Sequence, residues 1–163
     1  MNNKNNLIKI LESAIDVEHT TAFCFEYITS LIKNGRIKSK FYTFIEEAKR
    51  NKDYLIKKLK EIGVDNFLLE EKCKFCKLNP ESFSLVGAFN LGLEITNISI
   101  KLYHNLLDLI KSKEEKDLFK KLIKVKIKQR DFLKKEKKFT EEKKAKDFIN
   151  DYCIPQVISK LWH

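Results

Sequence analysis

The sequence predicts an all-α protein, an antiparallel four-helix bundle with a short extra C-terminal helix. The 163-residue chain contains 4 Gly and 2 Pro, whereas an all-β protein of this length needs many more turn residues. Hydrophobic residues make up 43% of the chain and charged residues 34%, a balance typical of globular proteins and not of disordered ones. Apolar residues recur at helical spacing in four long segments, so long helices with few connections are expected.

The four segments have recognisable ends. We place the helices at residues 6–33, 39–62 and 82–111, and from the charged turn at 112–115 to residue 139. Asn34-Gly35 and Gly63 supply the stops of the first two helices. The connection at residues 64–81 is long, and the other two connections are short. Short loops join antiparallel neighbours, so the long connection is expected to cross between two helix pairs.

The chain divides into a bundle and an extension. Residues 1–139 form the predicted bundle, and residues 140–163 form a C-terminal helical extension packed on it. Thr140 is followed by two Glu, which resembles an N-cap with acidic residues in the first helical turn. Pro155 breaks or bends this last helix.

The net charge of +10 favours an anionic partner such as nucleic acid, acidic lipid or phosphate. Acidic residues are interleaved with most of the lysines, however, and this favours a solvated bundle surface. Residues 1–10 show no secretory signal, and the weakly charged residues 82–100 are interpreted as a buried helix and not as a membrane span. We therefore expect a cytoplasmic location. Abundant Lys, Ile and Glu with scarce Gln are typical of a heat-loving source.

Each helix places one polar residue on its apolar stripe. These residues are Glu18, Asn51, Glu94 and Gln129, with Lys126 beside the stripe of the fourth helix. Helical spacing turns them toward the bundle centre. A bundle core tolerates two carboxylates only with a compensating cation. The sequence therefore predicts a core polar layer made of these five side chains.

This pattern resembles the ferritin-like superfamily, especially its rubrerythrin-like members. That family places one Glu on each of helices one and three and a Glu-x-x-His pair on each of helices two and four. Glu18 and Glu94 match the two lone glutamates, and Leu55 and Leu133 match the hydrophobic residue that follows each His by four positions. The resemblance covers residues 7–137.

The ligand pairs of the family are degenerate here. The resemblance sets Ala48 and Asn51 at the Glu and His positions of helix two, and Lys126 and Gln129 at those of helix four. Ala cannot ligate a metal, Lys is cationic, and the two amides are poor ligands for iron without a His beside them. A complete di-iron site and a resident cofactor are therefore not expected, and Lys126 is expected to neutralise the two glutamates.

A reduced metal site is the alternative. Glu18, Glu47 and Glu94, with His19 or His104, are candidate ligands for iron or manganese at the bundle centre. The chain contains three His, and they share no ligand spacing with one another.

The 4 cysteines leave three interpretations open. Cys73 and Cys76 form a Cys-x-x-Cys pair with lysines on either side, which favours reactive thiolates. Zinc at this pair needs further ligands from elsewhere. The third interpretation is a loop disulfide or two free thiols. Cys24 is interpreted as a small core residue, and Cys153 as a partner for Cys24 or for the loop.

We interpret the chain as a ferritin-like bundle protein without a complete di-iron site, with a structural, binding or redox-accessory role and no enzymatic activity. Three alternatives remain. They are a metal-binding oxidase or peroxidase with the reduced ligand set, a thiol-disulfide redox protein using Cys73 and Cys76, and a basic nucleic-acid-binding protein using residues 134–146. Any enzyme among them would be an oxidoreductase. A homo-oligomer is expected, with a dimer favoured.

Overall fold

Four α-helices and no strand make up the part of the chain that the structure describes. The computed structural model describes residues 2–69 and 84–148. The helices are α1 (Asn2–Leu31), α2 (Gly35–Glu61), α3 (Leu85–Leu109) and α4 (Lys113–Phe148). The predicted all-α class is confirmed. Within these residues, no helix has an apolar stretch that is long enough to span a bilayer.

Side-chain caps set the first residues of α2 and α3. The Asn34 carboxamide oxygen accepts hydrogen bonds from the backbone amides two and three residues further on, at 3.0 and 3.2 Å. These bonds satisfy amides that have no partner within the helix. As a result α2 begins at Gly35, four residues before the predicted start at Ser39. Ser84 caps α3 in the same way, since its hydroxyl accepts from the amide three residues on at 2.9 Å.

Gly63 terminates α2, as the sequence predicts. Its φ is +91°, a left-handed conformation that favours glycine. The Gly63 amide donates to the Lys60 carbonyl at 2.9 Å, and the Val64 amide donates to the Leu59 carbonyl at 3.2 Å. This pair of bonds is a Schellman motif, which satisfies the last free carbonyls of the helix.

α4 continues through the predicted break at Thr140. The Thr140 hydroxyl donates to the backbone oxygen of Glu136 at 2.8 Å, which is a bond of the helix interior and not of an N-cap. No Gly or Pro lies between residues 133 and 148 to stop the helix. The prediction that the fourth helix ends near Phe139 and a fifth begins at Thr140 is therefore wrong. Residues 149–163, where the rest of the predicted extension falls, lie outside the described residues.

Three pairs of helices approach closely, and one further pair meets through side chains. α1 packs against both α2 and α3, and α3 packs against α4. The order of contacts is reversed between α1 and α3, because Glu18 meets Tyr103 whereas Ile28 lies against Gly92. α2 and α4 are not among the closely approaching pairs of the described chain. They are joined by side chains such as Lys58 and Glu115, whose charged atoms lie 2.6 Å apart.

The core consists of two apolar clusters. The first, which we call the phenylalanine cluster, contains Ala22, Phe25, Ile28, Ile32, Phe41, Phe44, Ile45, Ala48, Ala88, Phe89 and Leu133. The second, the leucine cluster, contains Leu11, Ala14, Ile15, Leu55, Leu59, Tyr103, Leu106, Ile110, Phe119 and Ile123. Apart from Thr29, the buried polar side chains of the described chain lie at the helix positions between the two clusters. The sequence pattern therefore produces a core that is interrupted by one polar layer.

The buried face of α3 is rotated from the predicted one. Its buried residues are Ala88, Phe89, Gly92, Ile95, Thr96, Ser99, Tyr103 and Leu106. Leu91, Ile98 and Leu102, which lie on the same stripe as Glu94, are half-buried. α3 is apolar around most of its circumference, so its leucine spacing does not select one face. Small residues select it instead, because they let the neighbouring helices approach.

Gly92 is the position of closest approach. A β-carbon added there would lie 3.1 Å from Ile28 Cδ1, 3.4 Å from Phe25 Cε1 and 3.5 Å from Leu133 Cδ1. Three helices therefore meet around a residue that has no side chain.

We expect Gly92→Leu to lower the free energy of unfolding by at least about 1–3 kcal/mol, because the added atoms overpack the core. Urea denaturation followed by circular dichroism measures the change. Gly35→Leu is the matched control, since Gly35 is also helical and a β-carbon added to it would have no atom within 4 Å. Equal effects of the two substitutions would contradict close packing at Gly92.

Candidate functional site

A buried ion pair lies at the centre of the polar layer. Lys126 Nζ donates to Glu18 Oε2 at 2.9 Å, and both side chains are 1% exposed. Glu18 comes from α1 and Lys126 from α4. A pair that is removed from water this completely loses hydration on both sides, so each charge depends on the other and on further hydrogen bonds.

Tyr103 supplies the second hydrogen bond to Glu18. Its hydroxyl donates to Glu18 Oε1, so both carboxylate oxygens of Glu18 accept a bond from the chain. Burial raises the pKa of Tyr103 well above its ordinary value, and the charge of Glu18 raises it further. A hydrogen bond with Asn51 acts in the opposite direction on the same pKa. The phenol therefore stays protonated and remains a donor.

Glu47 and Gln129 form the outer part of the layer. Gln129 Nε2 donates to Glu47 Oε2 at 2.5 Å. Burial raises the pKa of Glu47 above its ordinary value, the nearby charge of Lys126 and the bond from Gln129 lower it, and Glu18 raises it. Lys126 therefore lies near two carboxylates, and Glu18 holds it in a direct ion pair.

Two buried polar side-chain atoms in the described chain have no hydrogen-bond partner. They are Gln129 Oε1 and Ser99 Oγ. The buried threonines behave differently, since Thr21 and Thr96 each donate to the backbone oxygen four residues earlier at 2.7 Å. Gln129 and Ser99 are therefore the residues of the described chain in which a buried side-chain atom forms no hydrogen bond at all.

The structure brings four of the five predicted layer residues to the core. Glu18, Asn51, Lys126 and Gln129 are buried. Glu94 is exposed, so its assignment to the layer is wrong. Glu94 is exposed because α3 is rotated from its predicted orientation. Glu94 lies on the stripe of the half-buried leucines, and the stripe of small residues around Gly92 faces the core instead.

Sequence reasoning missed Tyr103 and gave Glu47 only to the alternative metal site. A signal for Tyr103 was present in the row of small residues along α3, since Tyr103 follows Ser99 by four positions on that row. Glu47 follows Glu46 in a charged run and has no distinguishing spacing. Its contact with Gln129 depends on the relative placement of α2 and α4.

The donor set does not fit a dinuclear metal centre. The ammonium group of Lys126 and the hydroxyl of Tyr103 engage both oxygens of Glu18. His104 is exposed and His19 is half-buried. Within the described residues, no group of three or more His, Cys, Asp and Glu side chains converges. The layer therefore offers two carboxylates and a competing cation where such a centre needs several anionic and imidazole ligands.

Cys24 is a core residue with a suppressed thiolate. Its side chain is 0% exposed. Burial raises its pKa to about 12, with a further contribution from the charge of Glu94. Since the thiolate is the nucleophile, this thiol is unreactive in the folded protein. Cys73, Cys76 and Cys153 lie outside the described residues, so the thiol, disulfide and zinc interpretations stay predictions.

A cleft between α2 and α4 reaches the layer. It has a volume of about 370 Å³ and is lined by Lys40, Thr43, Phe44, Glu47, Val125, Lys128, Gln129 and Phe132. A second cleft of about 450 Å³ lies at one end of the bundle, beside Leu7, Leu11 and Phe119. It contains none of the layer residues. The first cleft therefore connects Glu47 and Gln129 with the surface.

Comparison with known proteins identifies no relative. The sequence matches no protein family model, and it has no significant match among curated proteins or solved structures. The ferritin-like resemblance therefore rests on the residue pattern alone.

We expect Lys126→Met to lower the free energy of unfolding by about 3–5 kcal/mol, because it leaves the Glu18 charge buried without a cation. Chemical denaturation at neutral pH measures the loss. Adding Glu18→Gln to this variant should recover most of it, since the amide oxygen still accepts from Tyr103 and the buried charge of Glu18 is gone.

Lys128→Met is the control for this experiment. Lys128 is exposed and lies two residues away on the same helix, so its replacement should change the free energy by less than about 0.5 kcal/mol. Similar losses for the two lysine variants, or no recovery in the double variant, would show that the ion pair does not hold the layer.

The raised pKa of Glu47 predicts a pH dependence of stability. Between its unfolded and folded pKa values, the native state holds more protons than the unfolded state, so stability falls as pH rises through this window. Glu47→Gln keeps an oxygen that accepts from Gln129 and cannot ionise. The variant should therefore gain stability relative to wild type as pH rises from about 4 to about 8.

Urea midpoints across this pH range test the expectation, with Glu46→Gln as the control. Glu46 is the preceding residue and is exposed. Glu46→Gln measures the general effect of removing a carboxylate from this helix, and the gain of Glu47→Gln with pH should exceed it. A difference from wild type that does not grow with pH for Glu47→Gln would refute the assignment.

Proposed function

We propose that the protein is a ferritin-like bundle in which the buried ion pair of Glu18 and Lys126 replaces a di-metal centre. Its role in this proposal is structural or binding, without metal-dependent oxidation. The observation that carries the proposal is the 2.9 Å contact between the two charged groups, each 1% exposed.

The order of helix contacts supports an antiparallel, ferritin-like arrangement. Glu18 and Ile28 of α1 meet Tyr103 and Gly92 of α3 in reversed order. α2 and α4 also meet in reversed order, with Lys58 near Glu115 and Glu47 near Gln129. α2 and α3 then run in the same direction, which is also the relative direction of the second and third helices in ferritin-like proteins.

The position of Lys126 supports the replacement of metal by a side chain. The ferritin-like resemblance sets Lys126 where helix four would carry a ligand Glu. Exchanging that carboxylate for an ammonium group removes a ligand and supplies a cation in the same place. The bundle core then needs no external cation to tolerate Glu18.

The reduced metal site loses support from the placement of its candidates. It requires Glu94 beside Glu18 and Glu47. Glu94 is exposed, whereas Glu18 is buried. The remaining pair of carboxylates already has Lys126 as a cation. A metal-dependent oxidase or peroxidase role is therefore the weaker proposal.

Metal analysis of protein purified without chelator or added metal tests the proposal. We expect no stoichiometric iron or manganese, because the Lys126 cation occupies the layer. Lys126→Glu combined with Gln129→His restores one Glu-x-x-His pair and should raise the metal content measured by mass spectrometry. About two iron or manganese ions per chain in the wild-type protein would overturn the proposal.

Lys128→Glu combined with Asp131→His is the matched control. It creates a Glu-x-x-His pair with the same spacing on the exposed side of α4. This variant should bind no more metal than wild type. Equal metal uptake by both double variants would show that the gain does not depend on the polar layer.

A further inference from the structure

Positive charge is concentrated on two of the four helices. α2 contains nine Lys and Arg residues against four Asp and Glu, and α4 contains fifteen against eight. α1 contains two against four, and α3 contains one against two. The excess on α2 and α4 is therefore larger than the net charge of +10 of the whole chain.

These two helices share one side of the bundle. Glu47 and Gln129 join them in the interior, and the cleft between them is lined by Lys40 from α2 and Lys128 from α4. We call the exposed side of α2 and α4 the basic face. This concentration of positive charge on one side is not evident from the sequence, because acidic residues alternate with lysines along it. The placement of α2 and α4 side by side produces it.

α4 contributes a row of lysines to the basic face. Lys120, Lys124, Lys128 and Lys135 recur at helical spacing, and all four are exposed. Within the described chain, none of them forms an ion pair, whereas Asp131 on the same side lies 3.4 Å from Arg130. At a helical rise of about 1.5 Å per residue, the row is roughly 22 Å long.

We infer that the basic face binds the phosphate backbone of double-stranded nucleic acid without regard to base sequence. A lysine ammonium binds phosphate as a point charge, without the planar fork with which arginine makes two parallel hydrogen bonds to one phosphate. Duplex DNA carries one negative charge per roughly 1.7 Å of its axis. The unpaired lysines are therefore attracted to the dense negative charge of the phosphates, and contacts with phosphate carry no sequence information.

The exposed residues of α4 favour a duplex over a lipid surface. A helix that lies in a membrane interface presents large apolar residues to the lipid. In α4 the apolar residues pack inward, and Phe139, at 62% exposure, is the one large apolar side chain that the described part of this helix exposes. On α2, Tyr42 is exposed as well, at 55%. Two separate aromatic residues are too few for single-stranded binding, which depends on several stacking aromatic residues.

Fluorescence anisotropy with a short mixed-sequence DNA duplex, measured between about 50 and 200 mM salt, tests the inference. The variant is Lys120→Gln, Lys124→Gln and Lys128→Gln together. The control is Lys4→Gln, Lys9→Gln and Lys101→Gln, which removes the same charge from exposed positions on α1 and α3. Circular dichroism verifies that both triple variants are folded.

We expect wild-type binding that weakens with salt and is equal for two duplexes of unrelated sequence. The variant on α4 should bind more weakly. The slope of log affinity against log salt is negative, and it should become shallower by roughly 3, about one unit for each lost phosphate contact. The control should keep the wild-type slope. This pattern supports the inference independently of the metal content of the polar layer.

Three results would overturn it. The first is absence of duplex binding by the wild-type protein at the lowest salt concentration. The second is an equal loss in both triple variants, which would mean that net charge alone attracts the duplex. The third is binding to phosphatidylserine vesicles without binding to the duplex, which would assign the basic face to a lipid surface.

Discussion

The ion pair between Glu18 and Lys126 constrains the rest of the fold. The two charges come from α1 and α4, so these helices must present them at the same level of the bundle. Tyr103 must then face the same point from α3 to complete the hydrogen bonds of the carboxylate. A buried pair of this kind is weak evidence for stability, and its better-attested role is to fix the register of packed helices.

The burial of polar residues that interrupt an apolar stripe was predictable from the sequence. Lys126 and Gln129 interrupt an apolar stripe on a helix that is otherwise highly charged, and Glu18 does the same on α1. The turn at Gly63 follows from local chemistry, which needs no knowledge of the partner helices. The sequence predicts these features because helical periodicity and local hydrogen bonding determine them.

The features that sequence reasoning missed depend on packing. α3 has three charged residues, so its apolar pattern is compatible with several buried faces, and Glu94 was placed on the wrong one. Close approach at Gly92 selects the face that contains Tyr103. At Thr140 a cap-like sequence lies inside a continuous helix, because its hydroxyl bonds back to the preceding turn.

The wide spacing of α2 and α4 also sets where the bundle opens first. Their backbones are held apart by side chains and a cleft, whereas the other neighbouring pairs approach closely. Phe132 of α4 packs against Phe41 and Phe44 of α2, so aromatic rings bridge the two helices on one side of the polar layer. Glu47 lies beside the cleft, and we expect water to reach the polar layer there first. We also expect the amide protons on the facing sides of α2 and α4 to exchange with solvent before those between α1 and α3.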